Sequence, residues 1–419
     1  MERALLVVIQ LESDKKRWPL EDIAFELEEL VVSSGTEAVD TITCIRHKPT
    51  PNFFIGRGKI EEIADLSQEL EVDTVIFSHD LSGTQQRNAE EVIGKKTIDR
   101  TQLILDIFAR HAKTPEGKMQ VELAQLQYLL PRLIGKGVIL SRLGGGIGTR
   151  GPGEQKLEVD RRKIRKRIDT LKDELAHLSV HRKVLRKRRK ENAIPSIALV
   201  GYTNAGKSTL LNTLTGAYQI VADSLFTTLD PLSRNIDLAN GEQVIISDTV
   251  GFLNNLPHHL IEAFKATLEE VVEADLLLHV IDISNPLAHE HAKAVFSVLK
   301  ELKVDQKPIV TVLNKIDLIE ERAGLDYYIN DFDNAILVSA KTRENIDLLL
   351  KRVENNFQDR MATLYVLLSH SRMDLVDLFY RQGKVHDIEY SAEGIKIRVS
   401  LPKIISHKLI NNKEIAEIY

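Results

Sequence analysis

The stretch Gly201-Tyr202-Thr203-Asn204-Ala205-Gly206-Lys207-Ser208-Thr209 has the spacing G-x4-G-K-S. Directly before it stands SIALV, a short buried-strand pattern, and directly after it LLNTLTG, a helical one. That context is the one a phosphate-binding P-loop requires. The loop amides and the N-terminus of the next helix face phosphate oxygens, Lys207 brings a point charge to the β and γ phosphates, and Ser208 offers its hydroxyl to Mg²⁺.

Three further stretches specify the nucleotide. EQVIISDTVGF is a buried strand that delivers Asp248 at its C-terminal end with Gly251 three residues on, the DxxG spacing that reaches Mg²⁺ and the γ-phosphate. IVTVLNKID ends another buried strand with Asn314-Lys315-x-Asp317. The Asp317 carboxylate can accept from both N1–H and the exocyclic amine of guanine, whereas adenine has no such donor pair. A buried acceptor left unpaired costs about 1 to 3 kcal/mol, which favours GTP over ATP. ILVSAK then supplies Ser339, Ala340 and Lys341 on a loop suited to the guanine O6. Between the P-loop and Asp248, Thr228 is the expected switch-I hydroxyl for Mg²⁺, with Thr227 the alternative. GTP/GDP and Mg²⁺ are thus the expected ligands, Ser208, Thr228 and Asp248 the metal set, and Lys207, Thr228 and Gly251 the residues nearest the reaction.

The elements that must position these residues are legible in outline. LLVVIQL, the helical LEDIAFELEELVVSSG, ITCI, GKIEEIADLSQEL and DTVIFS alternate strand and helix, which predicts a small α/β domain with a largely parallel sheet. Within it Gly56, Gly58 and Lys59 sit at a strand-to-helix turn, either an ordinary glycine turn or a second phosphate site. Met119, Leu123, Leu126, Leu130 and Leu133 form an apolar seam, and Ile164, Ile168, Leu171, Leu175 and Leu178 repeat it. Two such seams can bury each other as an antiparallel helical hairpin. Its tip would hold GGGIGTRGPGE, with six glycines at 144, 145, 146, 148, 151 and 153. With no strand before it and no Lys-Ser pair, this loop is a poor nucleotide cradle. Glycines instead let a tip enter a crowded cleft. In the later region Asn240-Gly241 predicts a hairpin, making the central sheet mixed. LYVLLS, HSRMDLVDLFYRQG, KVHDIEY and GIKIRVSL predict a β-α-β-β appendage.

Composition bounds the class. The 419 residues are 28% charged with a net charge of −5, which predicts a soluble protein of roughly three domains. Residues 160–190 hold 14 Lys and Arg against 4 Asp and Glu, so positive charge is concentrated in one segment. Arg161, Arg162, Lys163, Arg165, Lys166 and Arg167 are either a solvated helix face or, crowded into seven positions beside the tip with Arg142 and Arg150, a site for a polyanion whose binding falls steeply with salt. Cys44 is the lone cysteine, which excludes an intramolecular disulfide framework and any Cys-rich zinc site. ALLVVIQL is too short to span a bilayer and lacks a cleavage pattern, so a cytoplasmic protein with no membrane span is expected.

With these motifs in order, the chain resembles the HflX-type GTPases of the translation-factor class. The likeness extends through IGRGKIEEI, IDRTQLILDIFARHAKTPEGKMQVELAQLQYLLPRL, GGGIGTRGPGEQKLEVDRR and DTVGFLNNLPHHLIEAFKATLEE. It departs locally at LDPLSR, where a threonine or similar small residue is expected after the proline. The expected fold class is α/β: a P-loop GTPase domain with a mixed, mostly parallel sheet at 193–357. A small α/β domain at 1–112 and a long helical hairpin with its glycine-rich tip at 113–192 precede it, and a small α+β domain at 358–419 follows. The resemblance implies a GTPase that binds the large ribosomal subunit, acts in ribosome splitting or rescue under stress, and brings its glycine-rich tip near the peptidyl-transferase region. The alternative is a GTP switch for a protein partner or a non-ribosomal RNA, and nothing in the sequence demands more than a monomer. Ras-type enzymes place a water-orienting glutamine directly after DxxG, where this chain has Phe252, so slow turnover in isolation is expected.

Overall fold

An unbroken apolar run forms β1 (Arg3–Leu11), buried along both faces from Ala4 to Ile9. Such a strand belongs at the centre of a parallel sheet covered on both sides. The computed structural model describes residues 1–13, 18–133, 152–191, 194–216, 225–226, 231–254, 260, 265–319, 325–411 and 416–417. They fall into two units. One comprises Met1–Ser179, Ala222–Asp230 and Asn255–Ala266; the other comprises Val180–Val221, Pro231–Asn254 and Thr267–Tyr419.

In the first unit, β1 is followed by α1 (Leu20–Ser33), β2 (Glu37–Arg46), α2 (Arg57–Glu69), β3 (Thr74–Phe77), α3 (Gly83–Ile93), β4 (Lys96–Asp99) and α4 (Arg100–His111). The strands pair in the order β2-β1-β3-β4, every pair parallel, as the strand-helix alternation predicts. Leu5, Val7 and Ile9 pack with Ile60 and Ile63 of α2 and Phe77 of β3. At the GRGK turn, Gly56 is the N-cap of α2, while Lys59 pairs with Glu62 at 2.7 Å and Arg57 with Glu61 at 2.8 Å.

Thr114 caps α5 (Pro115–Arg132) by accepting from the Gly117 N–H, with proline in the first turn where its missing donor costs nothing. The wholly buried Asp99 anchors the helix's far end. It accepts from the amides of Leu81 and Gln102, the Tyr128 hydroxyl at 2.8 Å and the Arg132 guanidinium at 2.8 Å. With so many donors the buried charge is satisfied. The 40-residue α6 (Pro152–Glu191) answers α5 through the predicted seam. Leu123, Ile168 and Leu171 are buried there, flanked by Met119, Leu126, Leu130, Ile164 and Leu175. Leu178 is exposed instead. The glycine-rich loop through Gly151, with Arg142 and Arg150, lies outside the described residues.

The second unit opens with β5 (Ser196–Gly201), α7 (Lys207–Thr215), β6 (Leu232–Asp237), β7 (Gln243–Asp248), α8 (Lys265–Glu273) and β8 (Leu276–Asp282). It continues through α9 (Ala288–Glu301), β9 (Ile309–Asn314), α10 (Leu325–Asp331), β10 (Ala335–Leu337) and α11 (Ile346–Phe357). The sheet order is β10-β9-β8-β5-β7-β6. All pairs are parallel except β6 with β7, which the Asn240-Gly241 turn joins antiparallel as predicted. Because β5, β7, β8 and β9 run the same way, their C-terminal ends collect the connecting loops on one edge, where ligands of open α/β sheets bind.

The remaining elements are β11 (Met361–Leu368), α12 (Met373–Gln382), β12 (Lys384–Ser391), β13 (Gly394–Pro402), α13 (Lys403–Asn411) and β14 (Ala416–Glu417). They form an antiparallel sheet of order β12-β13-β11-β14. Ile395, Ile397 and Val399, the period-two set, face the core with Leu364, Val366 and Phe379. The structure adds α13 and β14 to the predicted β-α-β-β pattern, because Ile405 and Leu409, one turn apart, bury themselves in the same cluster.

Candidate nucleotide site

The strand β5 is buried from Ile197 to Gly201 and ends where the loop 201–206 begins. Gly206 has φ +93° at the N-cap of α7, a left-handed backbone, and a Cβ there would collide with the side-chain amide of Asn314. Both facts require glycine. Gly251 is constrained by space alone: its Cβ would lie 2.9 Å from Thr203 Cα and 3.1 Å from Lys207 Nζ. The two glycines of the motifs therefore sit where loops touch.

Lys207 is 6% exposed, and its ammonium donates to the main-chain carbonyls of Tyr202 at 2.7 Å and Gly201 at 3.2 Å. Burial lowers its pKa to about 8, with the Asp248 carboxylate acting the other way. Ser208 Oγ donates to Asp248 Oδ2 at 2.6 Å, so the hydroxyl and carboxylate expected to share one cation already converge. No cluster of three or more His, Cys, Asp or Glu side chains suited to a metal exists among the described residues. Two hard oxygen donors at a helix N-terminus fit Mg²⁺, which takes few protein ligands and completes its shell with phosphate and water. When bound, the ion would neutralise charge on the phosphates. The buried Thr203 Oγ1 has no hydrogen-bond partner among the described residues, consistent with a loop built to receive ligand oxygens.

The residues expected to read the base assemble on the neighbouring strand ends. Asn314 terminates β9, and Asp317 follows on a single 3₁₀ turn, Ile316–Leu318. Asp317 Oδ1 accepts from Ser339 Oγ at 2.7 Å, and that oxygen accepts in turn from the Thr342 N–H at 3.0 Å. The carboxylate is thereby oriented. Ser339 and Ala340 are buried while Lys341 is exposed. Lys315, at φ +68°, pairs with Asp282 at 2.7 Å. Sequence reasoning missed Asp282, although HVID ends β8 with an acidic residue just as SD ends β7. It also missed Thr213, whose hydroxyl donates to the Ala340 carbonyl at 2.6 Å.

Thr227 and Thr228 lie outside the described residues, as do Asn255 to Pro257. Leu225 and Phe226, just before the two threonines, belong to the first unit. There the Leu225 N–H donates to Ser33 Oγ at 3.0 Å, and Phe226 meets Phe108 edge to face with ring centroids 4.6 Å apart. Phe226 holds φ +59°, an uncommon conformation for an aromatic residue. Among the helical bases, Arg167 is committed to Glu122 through two contacts of 2.7 Å. Arg161, Arg162 and Arg165 instead line a cleft of about 570 Å³ with Glu158 and Val159.

Three family models match the chain. A GTP-binding GTPase N-terminal model matches residues 21–109, a GTP-binding GTPase middle-region model 111–189, and a 50S ribosome-binding GTPase model 196–315. A GTP-binding protein from the archaeon Sulfolobus solfataricus, solved in complex with GDP, is 27% identical with a TM-score of 0.45, covering 86% of this chain and 99% of that one. GTPase HflX of Escherichia coli K12 is 41% identical over 96% of this chain and 94% of its own. GTPase HflX of Caldanaerobacter subterraneus is 46% identical over 98% of this chain and 93% of its own. Identity of this order, end to end and in both directions, places the chain in the HflX family of GTPases, enzymes that hydrolyse GTP to GDP and phosphate.

Proposed function

We propose that this GTPase is a cytoplasmic monomer that docks on the large ribosomal subunit, takes part in splitting or rescuing ribosomes under stress, and turns over GTP at a useful rate only when docked. The observation that carries the reading is the match of residues 196–315 to a 50S ribosome-binding GTPase model. The arginine-lined cleft on α6 supports it, because the exposed Arg162 and Arg165, beside the half-buried Arg161, carry guanidinium groups suited to RNA phosphates. In this reading the main chain of residues 201–206 and the N-terminus of α7 cradle the phosphates, Thr209 completes the first helical turn, and Lys207 neutralises the β and γ groups. Ser208, Asp248 and Thr228 hold Mg²⁺, and Gly251 meets the γ-phosphate. Asn314 and Lys315 frame the base site, Asp317 reads the guanine edge, and Ser339, Ala340 and Lys341 close over O6. The glycine-rich tip enters rRNA near the peptidyl-transferase region.

Co-sedimentation with purified large subunits tests docking. Pelleting with a non-hydrolysable GTP analogue and release with GDP supports the reading. Failure to pellet in either state favours a GTP switch for another partner.

A further inference from the structure

The parallel ladder of β5 with β7 stops at Leu199 and Asp248, yet the two chains stay joined beyond it. Thr249 Oγ1 donates to the Leu199 carbonyl at 2.7 Å. The Phe252 N–H donates to the Gly201 carbonyl at 3.1 Å, and the Thr203 N–H to the Phe252 carbonyl at 2.9 Å. Last in the series, the Asn254 N–H donates to the phenol oxygen of Tyr202 at 2.9 Å. That final contact uses a side chain that originates inside the phosphate loop. Tyr202 is 5% exposed, and its ring lies parallel to the imidazole of His291 on α9, with centroids 3.9 Å apart and planes 7° apart. A stacked ring in a buried slot has little freedom, so the hydroxyl is held at a defined point.

We propose that Tyr202 is a positioning residue for GTP hydrolysis: stacked on His291, it holds the main chain at Asn254 and so fixes the stretch that follows Gly251 against the phosphate loop. The proposal rests on residues 201–208 being that loop. Phosphoryl transfer owes its rate mainly to positioning and electrostatics. Phe252 is 1% exposed and its side chain offers no polar atom. The side chain at position 252 therefore cannot organise the attacking water, which leaves room for main-chain groups of this stretch or a group supplied in trans. Either route requires residues 252–254 to keep their place.

The side chain and the main chain of Tyr202 do separate jobs. Its carbonyl accepts from Lys207, a contact that replacing tyrosine by phenylalanine leaves intact. Its hydroxyl reaches forward, to the main chain of Asn254 in the segment after Gly251. Turnover and nucleotide affinity should accordingly part company in Tyr202→Phe.

The test measures steady-state GTP hydrolysis and equilibrium binding of a fluorescent GDP analogue on the full chain. Wild type is compared with Tyr202→Phe, His291→Ala, His291→Phe and Lys207→Ala. Tyr202→Phe should lower kcat about three- to tenfold, the loss of one buried hydrogen bond. GDP affinity should stay within about twofold and KM should hardly move. His291→Ala should shift kcat in the same direction, and His291→Phe, which restores a flat partner, should recover it. A wild-type kcat in Tyr202→Phe, or a GDP affinity that falls in step with kcat, overturns the proposal. Lys207→Ala separates the two layers: weakened GDP binding there with unchanged turnover in Tyr202→Phe sinks the tyrosine alone. Unchanged binding in Lys207→Ala sinks the loop assignment and the proposal with it.

Discussion

The side-chain amide of Asn314 donates to the carbonyl of Ala205 at 2.8 Å, joining the end of β9 to the loop 201–206. Its other end accepts from the Ala340 N–H at 3.0 Å. One side chain, 2% exposed, thus spaces three loops, and in the proposed reading it sets the distance between the base and phosphate subsites.

Asn314→Ala should therefore damage binding and stability together. It leaves the Ala205 carbonyl and the Ala340 N–H unpaired in a buried setting, at about 1 to 3 kcal/mol for each group. Thermal unfolding with and without GDP reads both effects. An unchanged Tm with unchanged GDP stabilisation would show that Asn314 spaces nothing.

Asp317→Asn should exchange the base preference. The amide can donate to the 2-oxo group of xanthine where the carboxylate accepted from the guanine amine, so competition between GTP and xanthosine triphosphate should shift toward the latter. The Ser339 hydroxyl that orients Asp317 is available to either side chain, which makes misfolding an unattractive explanation for the shift. Retention of the full wild-type preference for GTP would misplace the base site.

The parts legible in the sequence share one property: their chemistry is local. The P-loop, Asp248 and Asn314 each sit at the end of an apolar run, and a strand end next to special residues needs no knowledge of its neighbours. The seam of Leu123 with Ile168 was legible because helical period and spacing agree on two segments. The Tyr202 to Asn254 contact was not, since it depends on β5 lying beside β7 in one register, and alternation does not specify sheet order. Nor was the environment of His279. In LLLHVID it reads as a polar interruption of a strand. In the structure it is wholly buried between β5 and β9, edge-on to Phe296 at 5.0 Å.

That histidine sets a pH dependence. Neither ring nitrogen has a hydrogen-bond partner among the described residues, and burial first, then the charge of Lys207, push its pKa down to about 3. The unfolded chain, with an ordinary histidine pKa of 6.5, takes up a proton that the folded chain refuses as pH falls. Its contribution is a stability that holds above pH 6.5 and is lost progressively below it, by up to about 1.4 kcal/mol per pH unit. His279→Leu should flatten the fall in Tm between about pH 6.5 and 4.5. Parallel Tm-against-pH curves for the two proteins would show that another group controls acid stability.

In the proposed function, hydrolysis is completed by a group from outside the chain. Phe252 stands where a water-orienting glutamine would act, and its buried ring cannot replace one. Groups supplied in trans to other GTPases raise turnover by about 10³- to 10⁵-fold. The most direct measurement is the GTPase rate against the concentration of purified large ribosomal subunits, for the wild type and for a chain lacking residues 144–153. Turnover is expected to be slow in the free protein and to rise saturably with the subunit. The deletion should reduce stimulation while leaving GTP affinity and basal turnover unchanged. Fast hydrolysis by the free wild type, or a rate indifferent to the subunit, would contradict the proposed function.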